Sequence, residues 1–181
     1  MRVSEQRLTA ASFEDLAMPL FDQLYNFAHW LTQDRAEAED LVQETYAKAL
    51  RGFSSFQAGT NFRAWMYRIL RNSFLSSRTG LKTMVVIDAE TEENLVPAES
   101  TTPESILIEQ ADRAMVQRAL AELPMPAREI LLLCEVEEMS YQEIAETLAI
   151  PAGTVMSRLF RARKALRQIL MKKTRGERHG Q

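Results

Sequence analysis

Two stretches of this 181-residue chain carry side chains at spacings that suit a nucleic acid. From Asn61 to Gly80, NFRAWMYRILRNSFLSSRTG, the charged groups are Arg63, Arg68, Arg71 and Arg78, with no acid among them. Trp65, Tyr67 and Phe74 lie between these arginines. At 100° per residue, Phe62, Trp65, Met66, Ile69 and Ser73 share one helix face, expected to be buried. Arg63, Tyr67, Arg71 and Phe74 share the other, expected to point outward, with Arg68 and Asn72 on an edge beside Trp65. Outward rings stack on unpaired bases and guanidinium groups meet phosphates. The same rings would equally suit a neighbouring helix.

The second stretch is SYQEIAETLAIPAGTVMSRLFRARKALRQIL, residues 140–170. Ser140 and Glu143 form a capping box that starts a short helix with Ile144, Ala145 and Leu148 as its apolar stripe. Ala149-Ile150-Pro151 is a turn, where proline cannot continue one helix but can open the next. The following helix has Val155, Leu159, Ala162, Leu166 and Ile169 on one face. Ser157, Phe160, Arg161 and Lys164 lie opposite, flanked by Thr154 and Met156. From Ser157 to Arg178 nine basic residues stand against Glu177 alone. A short helix, a tight turn and a second helix with hydroxyl and guanidinium groups outward is the helix-turn-helix pattern, which places arginines against guanine edges in the major groove. An ordinary helical hairpin with a basic solvent face is the simpler alternative.

These groups need helices to hold them, and the composition supplies little else. Six glycines and six prolines, about 3% each, are well below the usual ~7% and ~5%. The expected class is all-α, in two small helical domains joined by a flexible acidic linker. Ser12 with Asp15 starts a first helix, expected to run to about Leu31. Asp34 with Glu37 starts a second to about Arg51, with a core stripe of Ala38, Leu41, Val42, Thr45 and Ala49. Its other side, Asp40, Gln43, Tyr46, Ala47 and Leu50, is mixed apolar and acidic, and suits a protein partner or a second buried side. Asn61 caps a third helix to about Ser77. Residues 81–104, with Pro97, Pro103 and six acids against Lys82, read as linker, although Met84-Val85-Val86-Ile87 could dock. Helical periodicity returns at Ser105 and holds to about Met171, and residues 172–181 read as a disordered basic tail. The expected domains are therefore 1–80 and 105–171, with their relative orientation set by a partner.

The net charge of −3 hides this segregation of basic and acidic segments, which points to two nucleic-acid contacts on one chain. The longest apolar run, Ile130 to Cys134, is far short of the roughly 18 residues of a membrane span. The N-terminal segment has no apolar core for export, and a single cysteine suits a reducing compartment, so a cytoplasmic protein without membrane insertion is expected. Two histidines and one cysteine are too few for a zinc site, and no P-loop, dinucleotide fingerprint, H-E-x-x-H or G-x-S-x-G is present. No cofactor, metal or catalytic residue is expected, and no enzyme activity.

The segments AEDLVQETYAKAL, FRAWMYRILRNSFL and LPMPAREILLLCEVEEMSYQEIAETLAIPAGTVMSRLFRARKAL, in this order, resemble a bacterial RNA polymerase sigma factor of the extracytoplasmic-function (ECF) group, sigma-70 family. The likeness covers nearly the whole chain. It implies sigma region 2 at 1–80 and region 4 at 105–171, and a promoter-specificity subunit that initiates transcription, in a stress response under an anti-sigma factor. By position, Asp40, Leu41, Gln43 and Glu44 would contact core polymerase through the clamp of its β′ subunit, and region 4 the flap of its β subunit. Arg63, Trp65, Tyr67, Arg68, Arg71 and Asn72 would handle the minus-10 strand, with Asn72 near a pocket for a flipped base. Thr154, Met156, Ser157, Arg158, Arg161 and Lys164 would work at the minus-35 element. Similar proteins often carry arginine or lysine at the place of Met156, so the minus-35 sequence should differ from the group's commonest. The alternatives are a stand-alone helix-turn-helix regulator with an N-terminal sensor or dimerisation domain, and a decoy that occupies polymerase without initiating.

Overall fold

The computed structural model describes residues 12–79 and 113–178, with the side chains of Arg113 and of 175–178 excepted. Linker 81–104, its Met84–Ile87 segment and the helical restart at Ser105 lie outside these residues. The described residues form helices joined by short turns, with no strand among them.

Local sequence sets the helix starts. Ser12 accepts from the Asp15 amide and Asp15 from the Ser12 amide, a closed capping box that opens α1, Phe13–Ala17. The single helix expected to Leu31 is broken at Pro19, which has no amide proton to donate, and a 3-10 turn spans Met18–Leu20. The chain resumes as α2, Phe21–Thr32, and leaves it at Gln33 in the left-handed conformation. Asp34 caps α3, Arg35–Gly52, by accepting from the Glu37 amide at 2.9 Å. Asn61 does the same for α4, Phe62–Thr79, through the Ala64 amide at 3.0 Å. All five residues of the expected α3 stripe are buried. They close a bundle with Leu24, Phe27, Ala28 and Leu31 of α2 and Met66, Leu70 and Phe74 of α4.

The second half contains α5, Arg113–Glu122; α6, Met125–Leu131; α7, Tyr141–Leu148; and α8, Ala152–Arg178. Arg128 caps the C-terminus of α5, donating to the carbonyls of Leu120, Ala121 and Leu123. Burial lowers its pKa, and it stays charged. After α6 the chain widens into a π-turn over Leu132–Val136, closed by Glu137 N–H to the Leu132 carbonyl at 3.0 Å. One extra residue per turn shifts the side-chain phase by roughly 100°. Glu137 is thereby turned inward while Glu135, Val136 and Glu138 face water. Val155, Leu159, Ala162 and Leu166 of α8 are buried as expected, and the stripe ends on Leu170, with Ile169 half-buried.

Two expectations fail. Residues 172–178 are the end of α8, not a disordered tail. Lys173 of this turn pairs with Glu122, and cations are favoured at a helix C-terminus. The halves also pack directly on one another: α4 lies against α7 and α2 against α6. Their orientation is set within the chain, through a shared apolar core and a row of polar bonds.

Candidate nucleic-acid and partner interfaces

The outer face of α3 is open. Asp40, Gln43 and Glu44 are exposed, and Leu50 is 57% exposed. Leu41 departs from the expectation for this face: at 6% exposure it belongs to the bundle core and cannot meet a partner. Two residues absent from the sequence reading, Met18 and Phe21, extend the face. Both are large, apolar and exposed, and Phe21 lies 5.7 Å from the Tyr46 ring. Tyr46 itself is fixed by donating to the Ala17 carbonyl at 2.7 Å. Burial, with Asp22 nearby, pushes its pKa up to about 12, so it stays a donor. The 3-10 break at Pro19 is what brings Met18 and Phe21 here. No sequence spacing across α3 could have found them.

On α4 the expected outward face is turned inward. Tyr67 is 0% exposed and Phe74 is buried. Tyr67 packs on Phe27 with ring centroids 5.1 Å apart, and its hydroxyl donates to Glu137 Oε2. Arg63 Nη2 donates to the Glu137 carbonyl at 2.6 Å, lies 3.5 Å from its carboxylate, and sits over the Tyr67 ring at 5.6 Å. Arg71 pairs with the Glu129 carboxylate. Arg68 donates to the Glu146 carbonyl through Nε at 3.0 Å, and Asn61 to Glu143 Oε1 at 3.2 Å. Helical periodicity shows which side chains leave the bundle core. It does not show that a segment about 70 residues further on will cover them.

Burial governs the ionisation of these groups. Desolvation raises the pKa of Tyr67, with the Glu137 carboxylate adding to it. Glu129 and Glu137 are raised by burial too, although Arg71 and Arg63 oppose the shift. Glu143 is lowered, chiefly by the Ser140 amide of its capping box. Of the remaining candidates on α4, Asn72 is exposed and Trp65 is half-buried. Trp65 packs against Phe56 and Phe62 at 5.1 and 5.5 Å.

The helix-turn-helix is built as expected. The Ser140–Glu143 box is closed at both bonds, and Ala149 makes the turn in the left-handed conformation, φ 55°. Phe160, Arg161 and Lys164 are exposed on α8, while Thr154, Met156 and Ser157 are partly covered. Arg158 is partly covered as they are. Its Nε is buried without a hydrogen-bond partner, and its charge acts on the buried Glu129 carboxylate. Beside these contacts an open cleft of about 490 Å³ follows the seam, lined by residues that include Gln23 and Asn26 of α2, Arg63 of α4, and Glu137. Among the described residues no His, Cys, Asp and Glu are grouped to hold a metal. No described helix is long and apolar enough to cross a membrane.

Comparison with known proteins places this arrangement. Residues 16–82 match the family Sigma-70 region 2, and residues 113–166 match Sigma-70, region 4. The ECF RNA polymerase sigma factor SigE of Mycolicibacterium smegmatis is 37% identical over 89% of this chain, which spans 62% of that relative's length. The ECF RNA polymerase sigma factor SigW of Bacillus subtilis is 30% identical over 88% of this chain and 89% of its own. Among solved structures, the sigma factor RpoE of Bartonella quintana, crystallised with the anti-sigma factor NepR, is 30% identical. It superposes with a TM-score of 0.65 over 87% of this chain and 98% of that one.

Proposed function

The chain belongs to the ECF group of the sigma-70 family, and from that premise we propose that it directs core RNA polymerase to specific promoters and initiates transcription there. The observation that carries this reading is the order of two modules in one chain: a region 2 match containing the basic, aromatic α4, then a region 4 match containing the α7–α8 helix-turn-helix. Residues 1–80 serve as the region 2 unit, 81–104 as a linker and 105–171 as the region 4 unit. The protein acts in the cytoplasm without enzymatic activity of its own.

Asp40, Gln43 and Glu44, with the apolar neighbours Met18, Phe21 and Leu50, form the surface for the β′ clamp. Leu41 holds that helix in place from inside. Arg63, Trp65, Tyr67, Arg68, Arg71 and Asn72 handle the minus-10 strand. Thr154, Met156, Ser157, Arg158, Arg161 and Lys164 face the minus-35 groove, and region 4 meets the β flap. A relative solved with its anti-sigma factor supports control of this chain by such a protein; its use in a stress response is part of the same proposal.

The test is run-off transcription with purified core polymerase and the DNA upstream of the chain's own gene. Specific transcripts that depend on the chain are expected. A stand-alone regulator would require a second sigma factor, and a decoy would only suppress.

A further inference from the structure

We propose that Met156 and Phe160 form an apolar edge on α8 that reads thymine methyl groups in the major groove, so that two positions of the minus-35 element are selected by methyl contact instead of hydrogen bonding. This rests on the sigma-factor reading for the duplex that α8 enters.

The two side chains stand four residues apart near the start of α8, about one turn of helix, and therefore lie on the same side. Phe160 is 42% exposed and Met156 is partly exposed. Neither packs against the apolar core, whereas Ile150 of the turn and Ala165 and Ile169 of α8, all half-buried, do. The protein thus holds two large apolar groups out of its own interior where the helix-turn-helix presents its second helix. Gly153 continues the line toward the start of α8, and a Cβ there would meet nothing within 4 Å beyond its own turn of helix. The approach to this edge is open.

The neighbouring charges select the occupant. Arg161 and Lys164 are exposed beside Phe160, and cations around an apolar edge complement the phosphates that flank a groove. The apolar group a duplex displays in its major groove is the thymine C5-methyl. Methionine has a flexible thioether and no hydrogen-bond donor, so it can follow a methyl group but cannot bond to guanine N7 or O6. The phenyl ring of Phe160 has no donor either. Four residues rise about 6 Å along a helix, and successive base pairs lie about 3.4 Å apart, so the two side chains address positions about two base pairs apart.

The experiment uses holoenzyme assembled from the full chain and core polymerase. A randomised minus-35 library gives the preferred sequence. Each thymine in it is then replaced singly by deoxyuridine, which removes the methyl group and leaves the pairing face unaltered. Competition binding should show a loss of about fourfold at each of two thymines, the worth of one buried methyl group. Met156→Ala should abolish the loss at one of them and Phe160→Ala at the other, while Met156→Leu should retain it. Circular dichroism checks that each variant is folded, and Met156→Gln serves in place of any alanine variant that is not. A preferred sequence without thymine, or with none sensitive to deoxyuridine, overturns the proposal. So does a sensitivity that the Met156 and Phe160 variants both leave in place. Loss of core-polymerase affinity in Phe160→Ala, with methyl discrimination kept, would make the edge a protein contact and overturns it too. Absence of specific transcripts from the wild-type holoenzyme would instead defeat the sigma-factor reading. Binding of the full chain alone to the same thymine and deoxyuridine duplexes then still decides whether these two side chains read methyl groups.

Discussion

Tyr67→Phe removes one oxygen from the centre of the seam and leaves the ring contact with Phe27 in place. The lost bond runs from a fully buried phenol to a carboxylate whose side chain is 4% exposed. Hydrogen bonds to charged groups contribute roughly 1.5–3 kcal/mol, against about 0.5–1.5 kcal/mol for neutral ones. Arg63, still 3.5 Å from the same carboxylate, offsets part of the loss, so a cost of about 2 kcal/mol is expected. With a urea slope of about 2 kcal/mol per M, the unfolding midpoint should fall by about 1 M. Tyr46→Phe is the internal control. It removes a 2.7 Å bond to the neutral Ala17 carbonyl, and should cost about 1 kcal/mol or less. A double-mutant cycle of Tyr67→Phe with Glu137→Gln should give a coupling of about 1 kcal/mol or more. Additivity of the two changes, or a Tyr67→Phe cost no larger than that of Tyr46→Phe, would refute the assignment of charge-assisted bonding to this pair.

Asp40→Arg with Gln43→Ala, both on the open face of α3, should alter stability by about 0.5 kcal/mol or less. Core-polymerase affinity should nevertheless fall sharply in a pull-down or anisotropy titration; full affinity in the folded variant removes this face from the interface. Arg161→Ala should cost roughly 1–3 kcal/mol on the preferred minus-35 sequence and relax preference at one or two positions, read from a randomised minus-35 library. Glu129 binds its proton more tightly in the folded chain than in the unfolded one, because burial outweighs the pull of Arg71. Its contribution is therefore fully present below the unfolded pKa and lost as pH rises through the raised folded value. Wild type should lose stability relative to Glu129→Gln as pH rises above the ordinary carboxylate range, and a constant difference in urea midpoint would contradict the shift.

What the sequence disclosed was local. Ser12 with Asp15, Asp34 with Glu37, Asn61, and Ser140 with Glu143 are signals spanning three residues, and each makes the bond its spacing implies. The α3 and α8 stripes were legible because a helix buried on one side repeats its apolar residues. Tyr67 was misplaced because α4 is buried on two sides. Its second cover is supplied by Glu137, 70 positions away, through a bond that leaves no periodic trace. Leu41 belonged to two readings at once, as stripe residue and as partner contact, and the core claimed it. Met18 and Phe21 were missed because their exposure depends on the break at Pro19, which the pattern alone did not place. The tail was read from its composition, whereas a tertiary ion pair from Lys173 to Glu122 accompanies its helix.

The order of synthesis gives the Tyr67–Glu137 separation a duration. Seventy residues part the ring from its acceptor, and at roughly 5–20 residues per second the ribosome needs about 4–14 s to cover that stretch. The first half, whose α2, α3 and α4 pack on one another, emerges first and is expected to fold first. For those seconds it meets the cell with Arg63, Arg71 and the Tyr67 hydroxyl facing water. A newborn chain thus passes through a brief receptive period before its own second half arrives to close it. A pause in translation between codons 80 and 137 would lengthen that period without changing a single contact in the finished protein.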